Sequence, residues 1–448
     1  MFPLHDRVRR RICVAGFILL CVLPTVAVLG WGAAWSLPGH VRAEARRIGR
    51  RLGMEVSLGH VEHLRPGAVR LGGVVLRDLE QPDAVLHCDE VEAELKTVAD
   101  KTGISRRVLF LRSPGVEVDA TRMADLGELA RRLLRLRVGN DDVDVRWTAE
   151  RIDFRHAGRV GPLTDARGGA HTVEGSTEAW MTFGVANQKL KRPARIRLVR
   201  NRQVGPAADW FLLDTGGAAL SCELLGRAIP AMRSLGHDAR FRGFLRAEST
   251  GDGWSGKIDS SSEDKSPSEL LDVDLNNLVT DRFPHTLSGK GHVVVRWASF
   301  HKGRLEEVRG SVTSGQGKVS PTLLNAASEH LGLWQPRGPM ADGDPISFDA
   351  MAFRFELRRG SLAVRSYHAD STVVMFAGQE CYLCATGRNC PAVGLVKAMV
   401  PKGTPEVPVT QQVGWLLRHL PLPKAVSAAE ALGHSRVATE ESCPTQIR

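Results

Sequence analysis

"ISFDAMAFRFELRRGSLAVRSYHA", residues Ile346 to Ala369, sets Met351, Phe353, Phe355 and Leu357 against Ala352, Arg354 and Glu356. Alternation with a period of two is the mark of a strand with one apolar and one polar face. Arg359-Gly360 supplies a turn, after which Leu362 and Val364 resume the pattern, so the stretch reads as a hairpin. Val373 and Met375 add a further strand. The same signal recurs upstream. Val143, Val145 and Trp147 alternate with Asp144 and Arg146, Ile152 and Phe154 with Asp153 and Arg155, and Ile196 and Leu198 with Arg195 and Arg197. These are antiparallel strands, apolar on one side and rich in arginine on the other.

Composition agrees. The chain has 448 residues, 43% hydrophobic and 25% charged, so most of it can fold, and two or three domains' worth of chain is present. The 45 Gly and 23 Pro suit short strands separated by turns and exclude a multi-span channel. A net charge of +10 favours anionic partners, lipid headgroups or nucleic acid. Eight Cys are too sparse for a disulfide scaffold.

From Ile12 to Trp35 there is no charged residue, a run about 36 Å long as a helix at ~1.5 Å per residue. A bilayer core needs about 30 Å, so the run predicts a transmembrane helix, anchored by Trp31 and Trp35 and tolerating Pro24. A cleaved signal peptide has a shorter apolar region. Arg7, Arg9, Arg10 and Arg11 before it favour a cytoplasmic N-terminus. Beyond it, Val41, Ala45, Ile48 and Leu52 recur at helical spacing, with Arg42, Arg46, Arg47, Arg50 and Arg51 between them and Gly53 as the stop. This helix either lies on an anionic membrane surface or caps the following sheet.

Other helical patterns are short. Leu126, Leu129, Ala130, Leu133 and Leu134 form one stripe. A second runs from Ser221 to Gly236 with a bend at Pro230, and a third from Ser320-Pro321 to Gly332. A last one carries Val409, Val413, Leu416, Leu417 and Leu420.

Two segments carry a family resemblance. "RRIGRRLGMEVSLGHVEHLRPGAVRLGGVVLRDL" (Arg46 to Leu79), with Leu71-Gly72-Gly73-Val74-Val75-Leu76 inside it, resembles the opening of AsmA-like proteins. "GKGHVVVRWASFHKGRLEEVRGSVTSGQGKVSPTLL" (Gly289 to Leu324), followed by the Ile346 to Ala369 stretch, is similar to the AsmA C-terminal region. The resemblance implies a mostly β fold with a few short helices: a transmembrane helix, then an elongated, curled antiparallel sheet forming a groove. It also implies a single-pass inner-membrane protein with its bulk in the periplasm, acting in envelope lipid homeostasis without catalysis or cofactor. Its partners would be a phospholipid or other envelope lipid, the membrane, and in one reading another envelope protein held by a non-catalytic scaffold. The expected organisation is a basic tail (residues 1–11), the span (12–35), an N-terminal AsmA-like segment (36–112) and a central β-rich segment with helical insertions (113–288). A C-terminal AsmA-like region (289–400) and a terminal helix with a loose tail (401–448) complete it. The acyl chain would lie on Val293, Val295, Met351, Phe353, Phe355, Leu362, Val364, Val373 and Met375. Those side chains could equally pack against one another or a helix.

Three rival motifs remain. Asp214-Thr215-Gly216 after Phe211-Leu212-Leu213 resembles half of an aspartic protease site, which needs a second carboxylate and hence a dimer. The alternative is a strand ending in a turn. Cys381, Cys384 and Cys390 offer a local disulfide, free thiols or, with His368 nearby, a weak metal site. Gly315-Gln316-Gly317-Lys318 lacks the spacing of a phosphate-binding loop. Arginines interleaved along strands and scarce aromatics argue against nucleic acid.

Overall fold

The computed structural model describes residues 6–27, 38–78, 83–99, 105–122, 143–156, 161–173, 176–201, 208–228, 230–250, 253–259, 266–302 and 304–400. Strands make up 57% of it and the helices are few and short, so the chain is mostly β.

The N-terminal helix α1 (Asp6–Phe17) continues through a π-helical turn at Ile18–Val22 and stays helical to residue 27. The π turn lies just before Pro24, whose missing N–H and bulky ring disturb the ladder there. Phe17, Leu19, Leu20, Leu23 and Val26 all stand exposed. Among the described residues no helix is long and apolar enough to cross a membrane. Residues 28–35 of the predicted span lie outside the described residues, as do the helices predicted over 126–134 and 409–420.

Two compact units divide the chain. One takes in the residues up to Trp210 with Thr215–Ala218 and Glu223–Pro230, and the other takes Phe211–Asp214, Ala219–Cys222 and the residues from Ala231. The division falls inside the predicted central segment.

The first unit holds α2 (Pro38–Leu52), β1 (Glu55–Ser57), β2 (His60–Arg65), β3 (Ala68–Arg77), β4 (Ala84–Ala99), β5 (Ser105–Asp119), β6 (Val143–Arg155), β7 (Leu163–Val173), β8 (Ser176–Val185) and β9 (Ala194–Asn201). β1 and β2 lie end to end along β3, and β3 to β9 pair in chain order. All these pairs are antiparallel except β5–β6, which is parallel over Arg107↔Val143 to Asp119↔Arg155. A parallel pair requires a crossover of a dozen or more residues, and the chain between Asp119 and Val143 is long enough to supply it. Alternation within a strand cannot reveal this, because it does not encode strand direction.

Residues 208–235 contain β10 (Ala208–Asp214), β11 (Leu220–Ser221), α3 (Cys222–Ala228) and a 3-10 turn at Pro230–Leu235. The bend expected at Pro230 is therefore a break between two short helical pieces.

The second unit adds β12 (Arg240–Arg242), β13 (Phe244–Thr250), β14 (Gly253–Asp259), β15 (Ser268–Asp274), β16 (Lys290–His301), β17 (Arg304–Ser314), β18 (Gly317–Val319), α4 (Pro321–His330), β19 (Leu333–Trp334) and β20 (Ile346–Phe348). It ends with β21 (Ala350–Arg358), β22 (Ser361–Ser366), β23 (Val373–Ala377), β24 (Glu380–Ala385), β25 (Asn389–Pro391) and α5 (Val393–Met399). β16, β17, β21 and β22 pair antiparallel in succession. The β21–β22 hairpin turns through Arg359 (φ +50°) and Gly360 (φ +77°), two consecutive left-handed residues as a two-residue hairpin loop demands. Ser320 caps α4 by accepting from the Leu323 N–H, Pro321 fills the first position, and Gly332 at φ +66° follows its end.

Several glycines lie in strands rather than turns. Gly310 faces Phe355, Gly256 faces Phe300 and Gly168 faces Trp147 across paired strands. A Cβ on Gly168 would stand 2.3 Å from the Trp147 ring, so glycine there lets the indole lie over the neighbouring strand.

Candidate functional site

The pairing register sorts side chains onto faces, because directly opposed residues share a side. In the first unit one row runs Leu95, Leu109, Val145, Ala170, Ala179 and Leu198 across β4 to β9. The adjacent row runs Val69, Ala93, Leu111, Trp147, Gly168, Met181 and Ile196 across β3 to β9. At about 4.8 Å per strand these seven strands carry an apolar band roughly 29 Å long. Its side chains are half-buried, and Leu95 is exposed. α2 packs against β1 and shares a cluster with Val61, Val69, Leu71 and Val74, and the single turn Ala120–Arg122 touches β6.

The band deepens along a crease. Gly73 (φ +59°) and Asp165 (φ +49°) are left-handed within their strands, and the β4–β5 ladder is interrupted between His87↔Glu117 and Glu92↔Arg112. Ser113 Oγ bridges that gap, 2.8 Å from both the Glu90 and the Gly115 carbonyl oxygens. The crease shifts the phase of the alternation, so residues three apart share a face. Leu71 with Val74, and Val91 with Cys88, belong to one cluster with Val61 and Val116. Beyond the crease Val74, Cys88, Ala149, Ile152, Leu163 and Ala166 are buried. Burial pushes the Cys88 thiol up to about 11, although a hydrogen bond to Ser113 opposes the shift.

The opposite face mixes ion pairs with Phe110, Trp180 and the buried Val108. Arg70 lies 2.8 Å from Glu92, 2.9 Å from Glu90 and 3.5 Å from Glu62, and Arg197 holds both Glu178 oxygens at 2.8 Å. Hydrogen bonding to Glu92 and Glu178 raises the pKa of both guanidinium groups. Much of the arginine read along the strands is thus matched by glutamate on the neighbouring strand.

The residues expected to hold lipid are brought together, but under a cover. Val293↔Val312↔Phe353 and Val295↔Gly310↔Phe355↔Val364 form two rows on one face of the second unit, joined by Met351↔Met375. Met351, Leu362, Val364 and Met375 are buried in a core with Leu323, Leu324 and Ala327 of α4 and Val396 of α5, and Phe353 packs against it. At those positions the packing alternative holds: the chain's own helices fill the trough. Val295 is buried too, while Val293, Phe355 and Val373 are half-buried.

α2 packs and displays at once. Ala45 and Gly49 are buried, and Val41 and Ile48 join the core of the first sheet. Arg42, Arg46, Arg47 and Arg50 are exposed; the Arg51 side chain lies outside the description.

The rival motifs become structural. Asp214 ends β10, Gly216 is left-handed at φ +60°, and Ala218 N–H donates to the Thr215 carbonyl at 2.8 Å, which makes Asp-Thr-Gly part of a turn. Cys381 and Cys384 form a disulfide and Cys390 keeps a free thiol. A polar cleft of about 370 Å³ near the start of β4 brings His87 within 3.6 Å of Glu117 and His156 within 3.3 Å of Asp119. Among the described residues no group of three or more His, Cys, Asp or Glu is placed to hold a metal ion.

The band on the first sheet was missed in the sequence, although one signal pointed to it. Val143, Val145 and Trp147 are odd-numbered while Ile152 and Phe154 are even-numbered, and all lie in one strand, so the phase shift of the crease was visible. No family description matches the chain, and neither a curated protein nor a solved structure matches it.

Proposed function

We propose that this is a membrane-anchored, non-catalytic lipid-binding protein whose acyl-chain site is the apolar band of the first sheet. The observation that carries this reading is the half-buried band over β3 to β9, apolar on strand after strand. Each buried CH₂ of an acyl chain gains about 0.8 kcal/mol, so partial extraction from a bilayer is within reach. One chain spans about half of a ~30 Å bilayer core, which the band accommodates. The exposed apolar side chains of the helix described up to residue 27 support an anchor, and the AsmA-like resemblance supports an inner-membrane protein facing the periplasm.

The test uses the full chain in bilayers containing a diacyl phospholipid with a photoreactive diazirine on its acyl chain. After illumination, labelled peptides are expected from β5, β6, β8 and β9 as well as from the N-terminal helix. Leu111→Glu with Trp147→Glu removes the first set and leaves the second. Labelling confined to the N-terminal helix would overturn the reading.

A further inference from the structure

We propose that α2 is an electrostatic contact for an anionic bilayer surface, made through Arg42, Arg46, Arg47 and Arg50 without insertion of the helix. The inference rests on the anchored part of the reading above and not on the acyl-chain site. An amphipathic helix at a membrane normally buries its apolar side among the lipid tails. Here that side is already used: Ala45 is 7% exposed, and Val41 and Ile48 pack against the sheet. What remains outward is charge. The helix carries five arginines against one acid, Glu44, which lies 3.7 Å from Arg47. Strand arginines such as Arg70 and Arg197 have glutamates on the adjacent strand, whereas α2 gathers five arginines on one short helix with a single acid.

The position selects the partner. α2 begins at Pro38, shortly after a helix whose large apolar side chains are exposed, so a bilayer surface rather than a nucleic acid is the anionic surface within reach. Lipids with net negative charge attract basic residues at roughly 1 kcal/mol each, about fivefold in local preference per arginine, and salt screens the effect within a Debye length.

The test reconstitutes the full chain in phosphatidylcholine bilayers with a minor fraction of phosphatidylglycerol. The protein is excised with its lipid shell by an amphipathic copolymer, and the two lipids are quantified by mass spectrometry. The wild-type shell is expected to be enriched in phosphatidylglycerol several-fold over the bulk, less so at ~1 M salt. Replacing all four arginines by Gln should abolish most of that enrichment, and replacing them by Lys should retain it. Unchanged thermal unfolding of the Gln variant shows that packing is intact. Equal enrichment in wild type and Gln variant overturns the proposal, as does a wild-type shell identical to the bulk. Acyl-chain photolabelling of β5 to β9 is read separately, so the two readings fail independently.

Discussion

Leu324→Ala tests whether the apolar face of the strands in the second unit is truly filled by α4. Leu324 is fully buried, inside the cluster that includes Met351, Leu362, Val364 and Met375. Truncation removes three carbons, worth about 2.4 kcal/mol at ~0.8 kcal/mol each. The residual cavity adds to this, and Leu→Ala changes in well-packed cores cost roughly 2–5 kcal/mol in total. About 3 kcal/mol is therefore expected here. With a urea dependence of about 2–3 kcal/mol per molar, the midpoint falls by roughly 1 M. The assay is pulse proteolysis of the full chain in mild detergent across a urea series, following fragments from the region after residue 231. Leu111→Ala in the half-buried band is the comparison and should cost about 1 kcal/mol or less, because that side chain is only half-buried. A midpoint shift under about 0.3 M for Leu324→Ala would refute the packing, and the trough expected from the sequence would then be open after all.

Three further outcomes are expected. Gly310→Ala places a Cβ 2.4 Å from the Val294 carbonyl oxygen and 2.9 Å from the Phe355 ring, so it should destabilise the second unit by about 1–3 kcal/mol in the same urea series. His285 is buried against Thr322, 3.0 Å from its hydroxyl, and burial lowers its pKa despite a bond to the Ala398 carbonyl. The fold favours the neutral ring, so stability should fall as pH drops through the ordinary histidine value of 6.5, and His285→Gln should flatten that slope in denaturation at pH 5 to 8. Burial also pushes the Cys222 thiol up to about 12, as it pushes Cys88 to about 11, so iodoacetamide at pH 8 should spare both until urea is added. In both cases the unfolded thiol ionises first, so stability is flat below about pH 9 and declines above it.

Much of the strand content was readable. The β21–β22 hairpin follows directly from alternation and from Arg359-Gly360, and α4 from Ser320-Pro321 and Gly332. These features are local: turn conformation and capping depend on a few adjacent residues. The mixed role of α2 was half-readable, since its two faces were evident but not which partner each would meet. The nine proposed lipid contacts were correctly seen as apolar, yet nothing in their spacing could tell a face open to a ligand from one closed by α4 and α5.

The sequence by itself determined that this chain is built of strands with one apolar and one polar side, begun by an apolar helix and a basic one, because side-chain period is a property of the backbone. Tertiary structure alone decided which apolar side chains are fully buried and which are half-buried. The parallel β5–β6 pair, the crease at Gly73 and Asp165, and the core that Leu323 and Leu324 of α4 share with Met351, Leu362 and Met375 each join residues far apart in the chain. Burial is a property of those long-range contacts, and that is why the candidate lipid face lies on the first sheet and not on the hairpin where the pattern was clearest.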